Sequence, residues 1–283
     1  MMSKQEALSR LQSTELKMLI VFMQWCQDNQ LTWFVDSGTV LGAMRHKGFI
    51  PWDDDIDVGM PRADYDRMLE LAKQSFPEGY SIHTASDYGY TSLFAKMYKN
   101  GTVFSTDITE YTGCNQSIFI DIFPYDFVPK NKRDCVSLLR KCSNSQRLMY
   151  LHYLNDIDAP HDGLLGTIEK GVCRLAHPIA SRVLNPVKIA DKFNQRIAAS
   201  LVDPDYDKMT SYPWAGYAPV FDADVLLPVT NLKFEGVWVP APHNSDKYLT
   251  LLYGDWRRLP SENERHTHMP VRLLFDDGSS WVK

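Results

Sequence analysis

Apolar residues between Lys4 and Asp28 recur every three to four positions, through Leu8, Leu11, Leu19, Phe22 and Cys26, with Glu15 as the single polar exception on that face. This spacing predicts one long amphipathic helix over 4–28. Leu31 to Val35 is aromatic and β-branched and reads as a strand, broken by Asp36-Ser37-Gly38, after which 39–46 reads as a short helix. A loop at 48–52 leads to a second strand, Asp55 to Met60. Pro61 then suits a helix start, with Tyr65, Met68, Leu69 and Ala72 as its apolar face. Further strands are expected near 79–84, 92–99 and 102–106, and over Ser117 to Phe123, closed by Pro124. Asn131–Leu154 and Ile168–Leu201 read as mainly helical, broken near 159–163 and weakened at Pro178 and Pro186. From Pro204 onward the segments are short and weakly periodic. No repeat or low-complexity linker interrupts the chain, so one α+β unit with a helical insertion is expected.

Composition narrows the class. With 283 residues, 44% hydrophobic and 23% charged, the chain has ample material for a core. Its formal net charge of −5 argues against bulk nucleic-acid binding. No apolar run follows the N-terminal charges and no window is apolar enough to span a bilayer, so a cytoplasmic protein is expected. The five cysteines, Cys26, Cys114, Cys135, Cys142 and Cys173, form no C-x-x-C motif, and reduced thiols are the default reading.

The chemistry concentrates in Asp53-Asp54-Asp55-Ile56-Asp57. On a strand, Asp55 and Asp57 share one face while Ile56 and Val58 point to a core. Two such carboxylates about 6 Å apart repel by roughly 3 kcal/mol at an effective dielectric of about 20. A hard, oxygen-preferring cation, Mg²⁺ or Mn²⁺, would offset that cost. Asp121 is the third acid. A strand places it between Phe119 and Phe123, where an unpaired charge is expensive. A neighbouring strand carrying Asp55 and Asp57 would bring all three carboxylates together as metal ligands and catalytic groups. The turn before Thr39 allows close backbone approach at Gly38 and offers helix-start amides to a phosphate. Asp53 and Asp54 also suit plain solvation in a loop.

These segments together resemble the LicD family, which includes fukutin-related proteins. The resemblance rests on Asp36 to Arg45, Pro51 to Asp57 and Ile120-Asp121-Ile122-Phe123-Pro124. It extends through Leu232 to Gly236 with Pro240, and Tyr253 to Trp256 with Pro260. It implies a single catalytic domain over 1–283 with a nucleotidyltransferase-like core at 1–128, related to the DNA polymerase β superfamily and built on a mixed sheet. A mainly helical insertion would occupy 129–201, and a segment at 202–283 would complete the site. The implied activity is metal-dependent transfer of phosphocholine, or of ribitol, glycerol or ethanolamine phosphate, from a CDP-activated donor. The acceptor would be a hydroxyl of a cell-surface glycan precursor such as lipopolysaccharide or teichoic acid. Gly38 and Thr39 match the family's turn, with Gly42-Ala43 as an alternative register. For the donor diphosphate the candidates are Arg45, Lys96, Arg265 and His266, with His268 beside them. Trp52, Tyr88, Tyr90, Tyr98, Tyr111 and Trp214 are candidates for a quaternary-ammonium cage. How the acceptor hydroxyl is activated stays open between a second metal that lowers its pKa and an Asp acting as general base. Two other readings are a D-x-D glycosyltransferase, which lacks here the expected parallel strand series, and a glycan-binding protein with a degenerate site. Contact with a membrane would be peripheral at most, through Lys130 to Arg133 and Arg140-Lys141.

Overall fold

The computed structural model describes residues 2–87, 89–114, 116–154, 163–214, 218–265, 267 and 269–283, the side chains of 163–165, 169 and 263 apart. Helix α1 spans Lys4–Asp28 and opens on a capping box in which the Ser3 hydroxyl accepts from the Glu6 amide and the Glu6 carboxylate from the Ser3 amide. Its buried face carries the expected Leu8, Leu11, Glu15, Leu19, Phe22 and Cys26. There follow β1 (Phe34–Val35), α2 (Ser37–Arg45), β2 (Asp57–Pro61), α3 (Arg62–Gln74), β3 (Tyr80–His83), β4 (Ala95–Lys99), β5 (Val103–Ser105), α4 (Asp107–Thr112) and β6 (Phe119–Pro129). The next stretch is helical: α5 (Lys132–Tyr153), α6 (Gly163–Val183) and α7 (Pro186–Ser200). The last third contains β7 (Pro204–Thr210), β8 (Phe221–Asp222), α8 (Ala223–Leu226), β9 (Thr230–Phe234), β10 (Val237–Ala241), α9 (Ser245–Tyr253), β11 (Arg272–Leu274) and β12 (Ser280–Val282).

The main sheet is mixed, with order β1-β2-β6-β4-β3. The β2–β6 pair is parallel and its other pairs are antiparallel, and β7 and β8 extend it from the far end of β6. An α+β architecture is therefore present. Ile56, Val58, Ala95, Met97, Ile120 and Ile122 are fully buried and form the apolar side of the central strands.

Several boundaries differ from expectation, each for a physical reason. Strand β6 runs through Pro124 instead of ending there. The Asp121 amide donates to the Ile56 carbonyl at 3.0 Å, so odd-numbered residues turn their backbone groups to β2. Pro124 faces the opposite side, past the point where β4 ends its pairing at Ala95–Ile122, so no ladder bond is lost there. The predicted helix 168–201 is divided, because Asn185 caps a new helix with Pro186 in its first turn. Pro178 lies inside α6, and the helix continues past it. Helix α2 starts at Ser37, two residues early. The break placed near 159–163 falls largely outside the described residues.

Candidate active site

Strand register assembles the acids. Asp57 on β2 lies opposite Asp121 on β6, Asp121 opposite Lys96 on β4, and Lys96 opposite His83 on β3. Residues directly opposite share a face, so the four form one row across the sheet. Ile56 and Val58 point away from it, as alternation predicts. Asp55 is in the loop before β2, half-buried and next to the row. Asp57 is held through its backbone: its amide donates to Thr39 Oγ1 at 2.9 Å, and its carbonyl accepts from the Asp36 amide at 2.9 Å. Thr39 thus acts on the strand carrying the acids.

Charge balance across the row is uneven. Lys96 Nζ donates to Asp121 Oδ1 at 2.5 Å and lies 3.4 Å from the Phe119 ring centroid. Burial pushes the Asp121 carboxyl up to about 6, with Lys96 pulling the other way. Asp57 is raised well above the usual carboxylate range, first by burial and then by the charges of Asp55, Asp121 and Asp36. Asp53 is pushed up to about 8 by burial and by Asp55 and Asp54. Asp54 is buried, so of the two roles open to it, support of the acids fits and plain solvation does not. Glu15 on α1 is fully buried, and neither carboxylate oxygen has a hydrogen-bond partner among the described residues. Burial, then the charges of Asp55, Asp54 and Asp53, hold its carboxyl well above the ordinary value. One turn earlier, Gln12 Nε2 donates to the Asp53 carbonyl at 2.8 Å, so this face of α1 supports the acid loop.

The turn into α2 is anchored from below by Asp36. Its carboxylate accepts from the Ser37 amide at 2.8 Å, from Tyr125 Oη at 3.0 Å and from Tyr248 Oη. Ser37 has φ = +42°, an uncommon conformation for a non-glycine residue, held by these bonds. The Thr39 amide donates to the Asp36 carbonyl at 2.9 Å, so two amides of the turn are already engaged. Gly38 lies against the acid loop: a Cβ there would sit 3.0 Å from Asp53 Oδ2. Gly42 is inside α2, where a Cβ would meet the Gly48 carbonyl oxygen at 2.4 Å, so that register provides no open turn.

C-terminal elements close around the same loop. The two-residue β9–β10 turn, Glu235-Gly236, has positive φ at both positions, as a type I′ hairpin requires. Glu235 Oε1 accepts from the Phe49 amide at 3.1 Å, and the Glu235 amide donates to the Lys47 carbonyl at 2.9 Å. The Arg45 guanidinium donates to the Trp256 carbonyl at 3.2 Å and to His46 Nε2 at 3.0 Å. Arg265 lies 4.5 Å from the Trp52 ring centroid, which brings it beside the acid loop. The Tyr253 ring is partly exposed, but its phenol is raised by burial and then by the charges of Asp57, Asp36, Asp53 and Asp55. His266, His268 and Tyr88 lie outside the described residues. Of the other cage candidates, Tyr90 and Tyr98 line a small cavity of about 50 Å³ with Lys96 and His83. Tyr111 is exposed, and Trp214 packs edge-on to Phe123.

Sequence reasoning did not single out Asp36, Glu15 or Tyr248 as site residues. Glu15 had a signal, an acid at a core position of an apolar stripe. Tyr248 had none, being distant along the chain. Among the described residues no three His, Cys, Asp or Glu side chains converge on one point as they stand. The donor set nonetheless suits a hard divalent cation, since it is all carboxylate, buried and short of positive charge.

The model of the family described as LicD/FKTN/FKRP, nucleotidyltransferase domain, matches residues 30–150. The chain is 30% identical over 259 residues to the lipopolysaccharide cholinephosphotransferase LicD of Haemophilus influenzae, a match covering 89% of this chain and 92% of that protein. Shorter likenesses, 39% and 41% identical over 54 residues, link it to uncharacterized proteins of Rickettsia prowazekii and Rickettsia typhi. They cover 19% of this chain and 20% and 18% of those proteins.

Proposed function

The chain belongs to the LicD family, and from that premise we propose that it transfers phosphocholine, or a similar phospho-alcohol, from a CDP-activated donor to a glycan hydroxyl. The observation that carries the reading is the Asp57–Asp121 register, which puts two buried carboxylates side by side with Asp55 next to them, within the region matching the family. Asp55, Asp57 and Asp121 would hold Mg²⁺ or Mn²⁺. When bound, that ion supplies neutralisation of the donor diphosphate and the leaving CMP.

The chain's own residues divide the remaining work. Lys96 is committed to Asp121, so it keeps that acid ionised near neutral pH rather than meeting phosphate. Asp121 is then the candidate acceptor for the proton of the attacking hydroxyl. Arg45 and Arg265, at the rim of the acid loop, are the candidates to face the diphosphate. Gly38 lets the acid loop approach the start of α2, and Thr39 fixes the height of β2 relative to α2.

The test is incubation with CDP-choline and a glycan acceptor, with Mg²⁺ or Mn²⁺ or with chelator. CMP release and a phosphocholine mass increment on the glycan are expected only with the cation. Parallel reactions with CDP-ribitol, CDP-glycerol, CDP-ethanolamine and UDP-sugars define the donor. UDP release without CMP release would assign a glycosyltransferase, and glycan binding without turnover of any donor would leave a binding protein.

A further inference from the structure

Helix α6 turns its apolar side outward. Ile168, Val172, Leu175, Ile179 and Val183 are between 52% and 81% exposed. At 3.6 residues per turn they fall within about 80° of arc. The opposite side packs on α5: Ala180 is buried, and His177 Nδ1 donates to the Leu151 carbonyl at 3.0 Å. A helix of a water-soluble face carries its apolar stripe inward, so an outward one needs a cover.

Charge identifies the cover. Residues 129–201 contain twelve Lys and Arg against six Asp and Glu, a net +6, in a chain whose net charge is −5. The helical segment is thus net cationic, while the rest of the chain carries a net −11. Arg182 is exposed at one border of the stripe, and Lys188 is exposed at the start of α7. Along α5, Lys132, Arg133, Arg140 and Lys141 line an open groove of about 780 Å³ whose lining includes none of the acids. A second copy covering the stripe by two-fold pairing would set one +6 segment against another. An aliphatic stripe on a net-cationic helical segment matches a different partner, an anionic bilayer with acyl chains below and negative headgroups at the rim.

We infer that the α5–α7 face docks on an anionic lipid surface, with the α6 stripe entering the headgroup–acyl boundary. No helix among the described residues is long and apolar enough to cross a membrane, so this contact is one of lying on the surface. The inference does not depend on which phospho-alcohol the acids transfer.

Flotation of the full chain with vesicles tests it. Vesicles of phosphatidylcholine with about one-third phosphatidylglycerol should carry the protein up the gradient, pure phosphatidylcholine vesicles should not, and raised salt should weaken the binding. Leu175→Ser/Ile179→Ser should lower partition at least about tenfold, and Arg182→Glu/Lys188→Glu should do so comparably. All four positions are exposed, so the melting temperature should stay at the wild-type value. Equal partition by the variants, or no wild-type binding to anionic vesicles, would overturn the inference. So would a concentration-dependent dimer in sedimentation velocity that Leu175→Ser/Ile179→Ser abolishes, since a second copy would then be the occupant. CMP release with a water-soluble acceptor, measured on the same variants, reports the active site separately. Loss of vesicle binding with turnover retained supports docking, whereas vesicle binding without turnover removes only the catalytic reading.

Discussion

Lys96→Met removes the only cation bonded to Asp121 among the described residues, while keeping an unbranched side chain over Phe119. The Lys96 and Asp121 side chains are 10% and 12% exposed, so solvent does little to screen the pair. Removing one partner of a buried pair costs about 3–5 kcal/mol when the other charge cannot escape. Asp121 escapes by taking a proton. Burial already lifts it to about 6 against the pull of Lys96, and without Lys96 it rises further. A carboxyl whose folded value is raised keeps a proton that the unfolded chain has lost, so its contribution to stability falls as pH rises through the folded value. Near pH 5 Asp121 is largely neutral in both proteins, and the substitution should cost about 1 kcal/mol or less. Near pH 8 the wild type keeps an ion pair and the variant holds an unpaired acid, so the loss should approach about 3 kcal/mol. Urea unfolding followed by tryptophan fluorescence, in chelator at both pH values, measures the difference. Lys96→Met/Asp121→Asn should recover most of the loss at high pH, because no charge is left unpaired. An equal loss at both pH values, or a smaller one at high pH, would refute this account of the pair.

Other substitutions probe the rest of the site. Asp57→Asn should abolish transfer yet raise unfolding stability at pH 8 in chelator, since it deletes a buried charge raised by its acidic neighbours; a less stable variant would show that this charge is compensated. Tyr248→Phe removes a donor to the buried Asp36 carboxylate and should cost about 1–3 kcal/mol in denaturant unfolding. An unchanged midpoint would deny Asp36 its anchoring role. Gly42→Ala forces a methyl onto the Gly48 carbonyl and should cost about 1–3 kcal/mol, and because that contact sets the loop leading to the acids, turnover should fall with it. Full turnover in this variant would uncouple the loop from α2.

Local periodicity carried much of the fold. The apolar face of α1, the alternation at Ile56 and Val58, and the helices around α5 and α7 follow from spacing alone. What spacing cannot show is pairing between distant strands. Asp57 and Asp121 were recognisable as acids on strands, but their side-by-side placement comes from a parallel ladder joining segments more than sixty residues apart. For the same reason Lys96 read as a cation for phosphate, whereas the register gives it to Asp121. Pro124 read as a terminator because a missing donor usually ends a strand; whether a donor is needed depends on which neighbour lies on that side. The turn at Glu235-Gly236 was legible as a motif, but its grip on Phe49 was not.

The supports of the acid loop come from opposite ends of the chain, and that has a consequence for synthesis. Emerging N-terminal first, the ribosome product presents Asp53 to Asp57 long before the Glu235 turn and the Tyr248 hydroxyl exist. The stretch between arrives with Asp36 lacking one of its two phenol donors. Only when Arg272–Leu274 pairs with Val103–Ser105, and Asp277 meets Arg10, is the last of the C-terminal chain tied back to the first half. A nascent chain therefore carries the acids without their finished mounting, and competence to react waits on segments made well over a hundred residues later.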